Sequence, residues 1–118
     1  MNLKPHYRIE IGAGTALDAT GKIIPGQVRE QAIREIKRVA CELFGGATII
    51  PTTGVWRSPA GQVFDEPGIT VMCLIKVGGL MKHKKVLKSV ALLADVVKGT
   101  LGQAAVAVSV TETLTDFV

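Results

Sequence analysis

The stretch from Phe44 to Gly68 is the part of this 118-residue chain that says most about chemistry. It contains the only tryptophan, Trp56, preceded by Thr53 and Gly54 and followed by Arg57, and it closes on an adjacent acid pair, Asp65 and Glu66. Trp56 is flanked by glycine and polar residues rather than by a hydrophobic run. It reads either as a core residue or as the rim of a pocket, where its ring would stack on a purine or lie against a cation. Asp65 and Glu66 read either as turn residues or as ligand-serving groups, because a carboxylate facing an apolar surface is costly without a partner. Gln103 is a neutral hydrogen-bonding side chain at the predicted start of the last strand.

Other chemistries find no support. His6 and His83 lie far apart in the pattern, and no Cys/His/Asp spacing resembles a zinc site. There is no phosphate-binding loop, nucleophile elbow or Ser/His/Asp arrangement. Gly12-Ala13-Gly14 follows a strand but lacks the third glycine and the immediate helix of a dinucleotide loop. Lys82-His83-Lys84-Lys85 sits at a predicted helix start, where positive charge opposes the helix dipole. It reads as a solvated helix end, with an anion or nucleic-acid patch as the alternative. A net charge of +4, from 14 basic and 10 acidic residues, is far below the basic stripe of a nucleic-acid binder. Stacking aromatics of the kind an RNA-binding sheet carries are almost absent from the strands.

These residues need elements to position them. Tyr7, Ile9 and Ile11 alternate with Arg8 and Glu10, which predicts a half-buried strand over His6–Gly12. A loop with turn chemistry at Asp18–Gly21 leads to Gly26. From Gln27 the period changes: Val28, Ala32, Ile36, Val39, Ala40 and Leu43 form the inner stripe of an amphipathic helix, supported by a Glu30–Arg34 pair. Gly45-Gly46 closes it with a left-handed cap. Two short extended pieces, at Ala47–Ile50 with Val55-Trp56 and then at Val63-Phe64, predict a hairpin arm turning at Ser58–Gly61. Ile69–Lys76 reads as a central strand buried on both faces. A second helix over Lys82–Lys98 has Val86, Leu87, Val90, Leu93, Ala94 and Val97 inside, and Gln103–Thr113 alternates as the last strand.

The order β-α-β-β-α-β is that of an α+β ferredoxin-like sandwich, a four-stranded antiparallel sheet with two helices on one face, in a single domain over residues 1–118. Hydrophobic residues make up 47% of the chain, which excludes disorder and is high for a small lone monomer. Ala105 and Ala107 suggest that the face without helices packs on further copies, as a dimer or trimer. No apolar stretch reaches the ~20 residues of a membrane helix. With no signal-peptide pattern at the N-terminus and with Cys41 and Cys73 in apolar runs, the expectation is a cytoplasmic protein with buried, reduced thiols.

In four places the chain resembles the small phage enzymes that degrade S-adenosylmethionine (SAM), called SAM hydrolases and better described as SAM lyases. These are Leu43-Phe44-Gly45, Thr53-Gly54-Val55-Trp56-Arg57, Asp65-Glu66 ahead of Thr70-Val71, and Gln103. The resemblance implies a ferredoxin-like trimer with active sites between subunits, no metal or other cofactor, and a host-cytoplasm location. It implies intramolecular cleavage of SAM to 5′-methylthioadenosine and L-homoserine lactone. The family's functional acid falls on Glu66, with Asp65 as the fallback, and its polar residue at the last strand falls on Gln103. Trp56, with Thr53, Gly54 and Arg57, falls on the substrate-packing segment. The alternative from a different class is a non-enzymatic oligomeric module that binds a nucleotide-like ligand or nucleic acid.

Overall fold

The computed structural model describes all residues, Met1–Val118. The elements run β1 (Lys4–Gly14), α1 (Gly26–Phe44), β2 (Thr48–Arg57), β3 (Val63–Lys76), α2 (His83–Thr100) and β4 (Ala107–Thr115). All pairings are antiparallel and the spatial order is β2-β3-β1-β4, so the fold is the ferredoxin-like sandwich. Strands with period-2 patterning bury one face only. Ile9 and Ile11 of β1 and Ile69, Val71 and Cys73 of β3 meet Ala32, Ile36, Ala40 and Phe44 of α1 and Val86, Val90, Leu93 and Val97 of α2. Gly45, at φ 80°, takes the left-handed cap predicted for it and donates to the Cys41 carbonyl at 2.9 Å.

Several details differ from the sequence expectation. The arm is one long hairpin: β2 runs unbroken through Pro51 and Gly54, and β3 runs back through Pro67 and Gly68. Pro51 lies in β2, an edge strand of the sheet, where a missing N–H costs no ladder bond. The inner half of β3 is buried on one face, not two, because both helices lie on the same side; Thr70, Met72 and Leu74 face the open side half-buried. The last strand begins at Ala107, so Gln103 lies in the segment between α2 and β4. Val28 and Leu87, at the margins of their stripes, are exposed. Cys41 is also exposed, while Cys73 is buried, and burial pushes the Cys73 thiol up to about 11. Arg38 pairs with Glu35 and Glu42 on α1, and no Glu30–Arg34 ion pair forms.

The radius of gyration is 15.6 Å and the extents are 48 × 28 × 27 Å. A compact chain of this length would have a radius near ~13.5 Å, and the excess reflects a hairpin arm that outruns the helices. Only 18 of 118 residues are buried, because one whole sheet face and the arm lack cover. No helix is long and apolar enough to cross a membrane.

Candidate functional site

The register of the hairpin arm decides what faces the site. Gly61, at φ 86°, lets the chain turn; its N–H donates to the Ser58 carbonyl at 2.9 Å, and the Ser58 N–H donates to the Gln62 carbonyl at 2.8 Å. With the turn closed there, Trp56 stands opposite Phe64 and Gly54 opposite Glu66. Opposite residues share a face of an antiparallel sheet, and a slip of one residue would send Glu66 to the other side. Trp56 and Phe64 stack with ring centroids 4.7 Å apart and 20° between planes. Trp56 is still 50% exposed, so it sits on a rim and not in the core.

The stacked pair walls a cavity of about 590 Å³. Asp65 and Glu66 continue the wall, the β1–α1 loop at Ala16–Ala19 and Gly21 forms the opposite side, and Gln103, Ala104 and Ala105 close the end. Three acidic residues (Asp18, Asp65 and Glu66) line it, and no lysine or arginine does; Asp65, paired with Val55, turns its side chain to the face opposite Glu66. In a chain of net charge +4 this local excess of acid favours a cationic ligand. No three His, Cys, Asp or Glu side chains converge to hold a metal ion.

The β1–α1 loop is held from within. Asp18 Oδ1 accepts from the Thr20 hydroxyl at 2.6 Å and from the Thr20 and Lys22 N–H groups at 2.9 and 3.0 Å. These bonds, the Thr20 hydroxyl foremost, hold the Asp18 carboxyl below its ordinary range, so it is charged at neutral pH. The loop rests on the segment after α2, where the Ala19 N–H donates to the Gly102 carbonyl at 2.7 Å.

A second, shallower cavity of about 300 Å³ adjoins on the open sheet face and shares Glu66, Gln103 and Ala105 with the first. Its floor is Gly12, Gly14, Gly54 and Gly68. Two of these glycines are dictated by contact. A Cβ on Gly68 would lie 2.5 Å from the Ala13 carbonyl oxygen. A Cβ on Gly14 would run into the Glu66 carboxylate, 2.9 Å from Cδ, and would lie 3.4 Å from Gln103 Oε1. The Glu66 and Gln103 oxygens therefore converge over bare backbone at the end of β1.

Of the residues singled out from sequence, Trp56, Asp65, Glu66 and Gln103 line the larger cavity and Gly54 the smaller. Thr53 and Arg57 line neither; alternation along β2 puts them on the side opposite Gly54 and Trp56. Sequence reasoning missed Phe64, Asp18 and Gly14. The signals were present but weak: an Asp-Ala-Thr turn, and glycines two apart on one strand, a spacing that puts both on one face.

No family model matches the chain, and no curated protein matches it in sequence. Solved structures do match in fold. A phage SAM lyase in complex with S-methyl-5′-thioadenosine superposes with a TM-score of 0.67 at 16% identity, over 94% of this chain and 85% of that one. A phage SAM lyase in the apo state gives 0.62 at 19%, over 97% and 86%. CutA from Synechococcus elongatus gives 0.55 at 12%, over 96% and 83%. At these identities the likeness is one of fold.

Proposed function

We propose that this chain is a lyase that cleaves SAM to 5′-methylthioadenosine and L-homoserine lactone, with Trp56, Glu66 and Gln103 at the site. The observation that carries the reading is the cavity itself: an aromatic stack beside Glu66 in an acidic lining with no basic residue, in a basic chain. SAM presents a purine for the stack and two positive charges, the sulfonium and the ammonium. The fold likeness to phage SAM lyases, one of them holding a methylthioadenosine, supports it.

The chemistry needs little from the protein. One oxygen of the substrate's own carboxylate bonds to Cγ as the Cγ–S bond breaks. The bonding pair goes to sulfur, the sulfonium becomes a neutral thioether, and no proton moves. Two charges cancel in the transition state, so a site that strips water from them favours reaction. Folding the methionine chain into a near-attack geometry supplies up to about 7–11 kcal/mol. A protein carboxylate against the sulfonium would stabilise a charge that is being lost, which raises the barrier. Glu66 therefore serves at the ammonium or the ribose hydroxyls, whose charge and donors persist through the reaction. Arg57, Thr53 and Asp65 are second in rank as substrate-binding groups, Arg57 and Thr53 because they lie off the cavity.

Further copies of the chain cover the open sheet face, in a trimer, and complete the shallow side of the site. The small residues there, with only 18 of 118 buried in one chain, support this. Purified protein is expected to convert SAM to methylthioadenosine and homoserine lactone without added metal, read by chromatography. SAM unchanged beyond its spontaneous decay overturns the reading. Methylthioadenosine binding without cleavage would instead favour the non-enzymatic ligand-binding module. A monomeric mass in light scattering removes the interface.

A further inference from the structure

Gln103 occupies the junction of the two cavities, yet its amide is already committed. Nε2 donates to the Leu17 carbonyl at 2.8 Å and to the Leu101 carbonyl at 3.0 Å. Both amide hydrogens are used, and the two carbonyls fix the orientation. A flipped amide would set its own oxygen against two carbonyl oxygens, so the side chain can present only Oε1 to the cavity. That oxygen lies beside the Glu66 carboxylate over Gly14.

We infer that Gln103 is a positioning residue rather than a proton-transfer group: it latches the β1–α1 loop against the segment after α2 and so holds one wall of the site in place. Leu17 is the residue just before Asp18, and two hydrogen bonds tie the wall from Ala16 to Ala19 to the segment after α2. One is the backbone bond from Ala19 to Gly102, and the Gln103 amide supplies the side-chain bond. The latch also sets selectivity, because it turns the amide donors away and leaves the Gln103 side chain only an acceptor to offer beside the Glu66 carboxylate. A group bound there must bring two or more donors of its own, as an ammonium or a pair of adjacent hydroxyls does. A glutamate at position 103 would lose both donated bonds and face Glu66 as a like charge.

The selectivity half of this inference rests on the SAM-lyase reading; the latch half does not, and the experiment separates them. Gln103→Met keeps the length of the side chain and removes its polar atoms, and Gln103→Glu keeps its shape and removes the donors. In ligand-free protein, hydrogen exchange at the Ala19 and Ile24 amides is expected to quicken about tenfold in both variants, the factor one ordinary hydrogen bond supports. Exchange in β1 and β3 is expected to stay at the wild-type rate. Loop protection unchanged in both variants overturns the latch, whether or not the protein cleaves SAM. Where SAM is cleaved, a displaced wall raises KM at least about tenfold with kcat nearly held, because the loss is of uniform binding. A fall in kcat at constant KM would make Gln103 a participant in the chemistry and overturn the positioning role. Unfolding of Gln103→Glu by like-charge repulsion leaves Gln103→Met to decide.

Discussion

Gly14→Ala adds one methyl group to the site and should separate activity from folding. Gly14 does not have positive φ, so alanine fits the backbone. The new Cβ would sit 2.9 Å from Glu66 Cδ, where ordinary contact begins at 3.4 Å and extends to 4 Å. The obstacle is the far end of a flexible side chain, so the carboxylate withdraws by roughly 1 Å and the fold is spared. A displacement of that size in a group that positions the substrate costs about 100-fold in rate, or about 2.7 kcal/mol. Stability should stay within about 1 kcal/mol of wild type, since Gly→Ala also narrows the unfolded ensemble. Gly12→Ala is the matched control: it lies on the same strand and face, and its Cβ would meet nothing closer than 3.9 Å. Initial rates of methylthioadenosine release, with thermal melts and light scattering on both variants, are the assay. Gly14→Ala turning over at the wild-type rate would refute the role of Glu66 in holding the substrate. So would equal losses in the two variants.

Glu66→Gln is expected to lose most activity while keeping the wild-type oligomer mass; near-normal turnover would remove Glu66 from the site. Gly68→Ala should behave unlike Gly14→Ala, because its Cβ would press on a backbone carbonyl at 2.5 Å that cannot step aside. We expect it to lose about 1–3 kcal/mol in denaturant unfolding, the range for overpacking, and an unchanged midpoint would contradict the close β1–β3 approach. A thiol reagent near pH 8 should modify Cys41 in the native protein and reach Cys73 only on unfolding, since burial pushes the Cys73 thiol up to about 11. Two fast-reacting native thiols would contradict the burial of Cys73.

The elements were legible because each has its own period. Ile9 and Ile11 against Arg8 and Glu10 mark a strand, Ala32, Ile36 and Ala40 mark a helix face, and Gly45 marks its cap. What misled was local punctuation. Pro51, Gly54, Pro67 and Gly68 look like breaks, yet β2 and β3 run through them. Pro51 is tolerated on an edge strand, and Gly68 is required by the approach of Ala13. Alternation also predicted a strand start at Gln103 where pairing begins only at Ala107. The side chain is bound to loop carbonyls instead.

Residue type and order thus determined the sandwich and named Trp56, Asp65, Glu66 and Gln103 as the groups to watch. They also carried the resemblance to SAM-degrading enzymes. Which of these groups share a site was decided only in three dimensions. Strand register is a pairing between residues far apart in the chain, and one step of it chooses the face on which Glu66 stands and turns Thr53 and Arg57 away. The acid excess of the cavity arises in the same way. Asp18 and Glu66 are separated in sequence by a helix and a strand, and come to line one cavity only when the β1–α1 loop is laid against the hairpin arm.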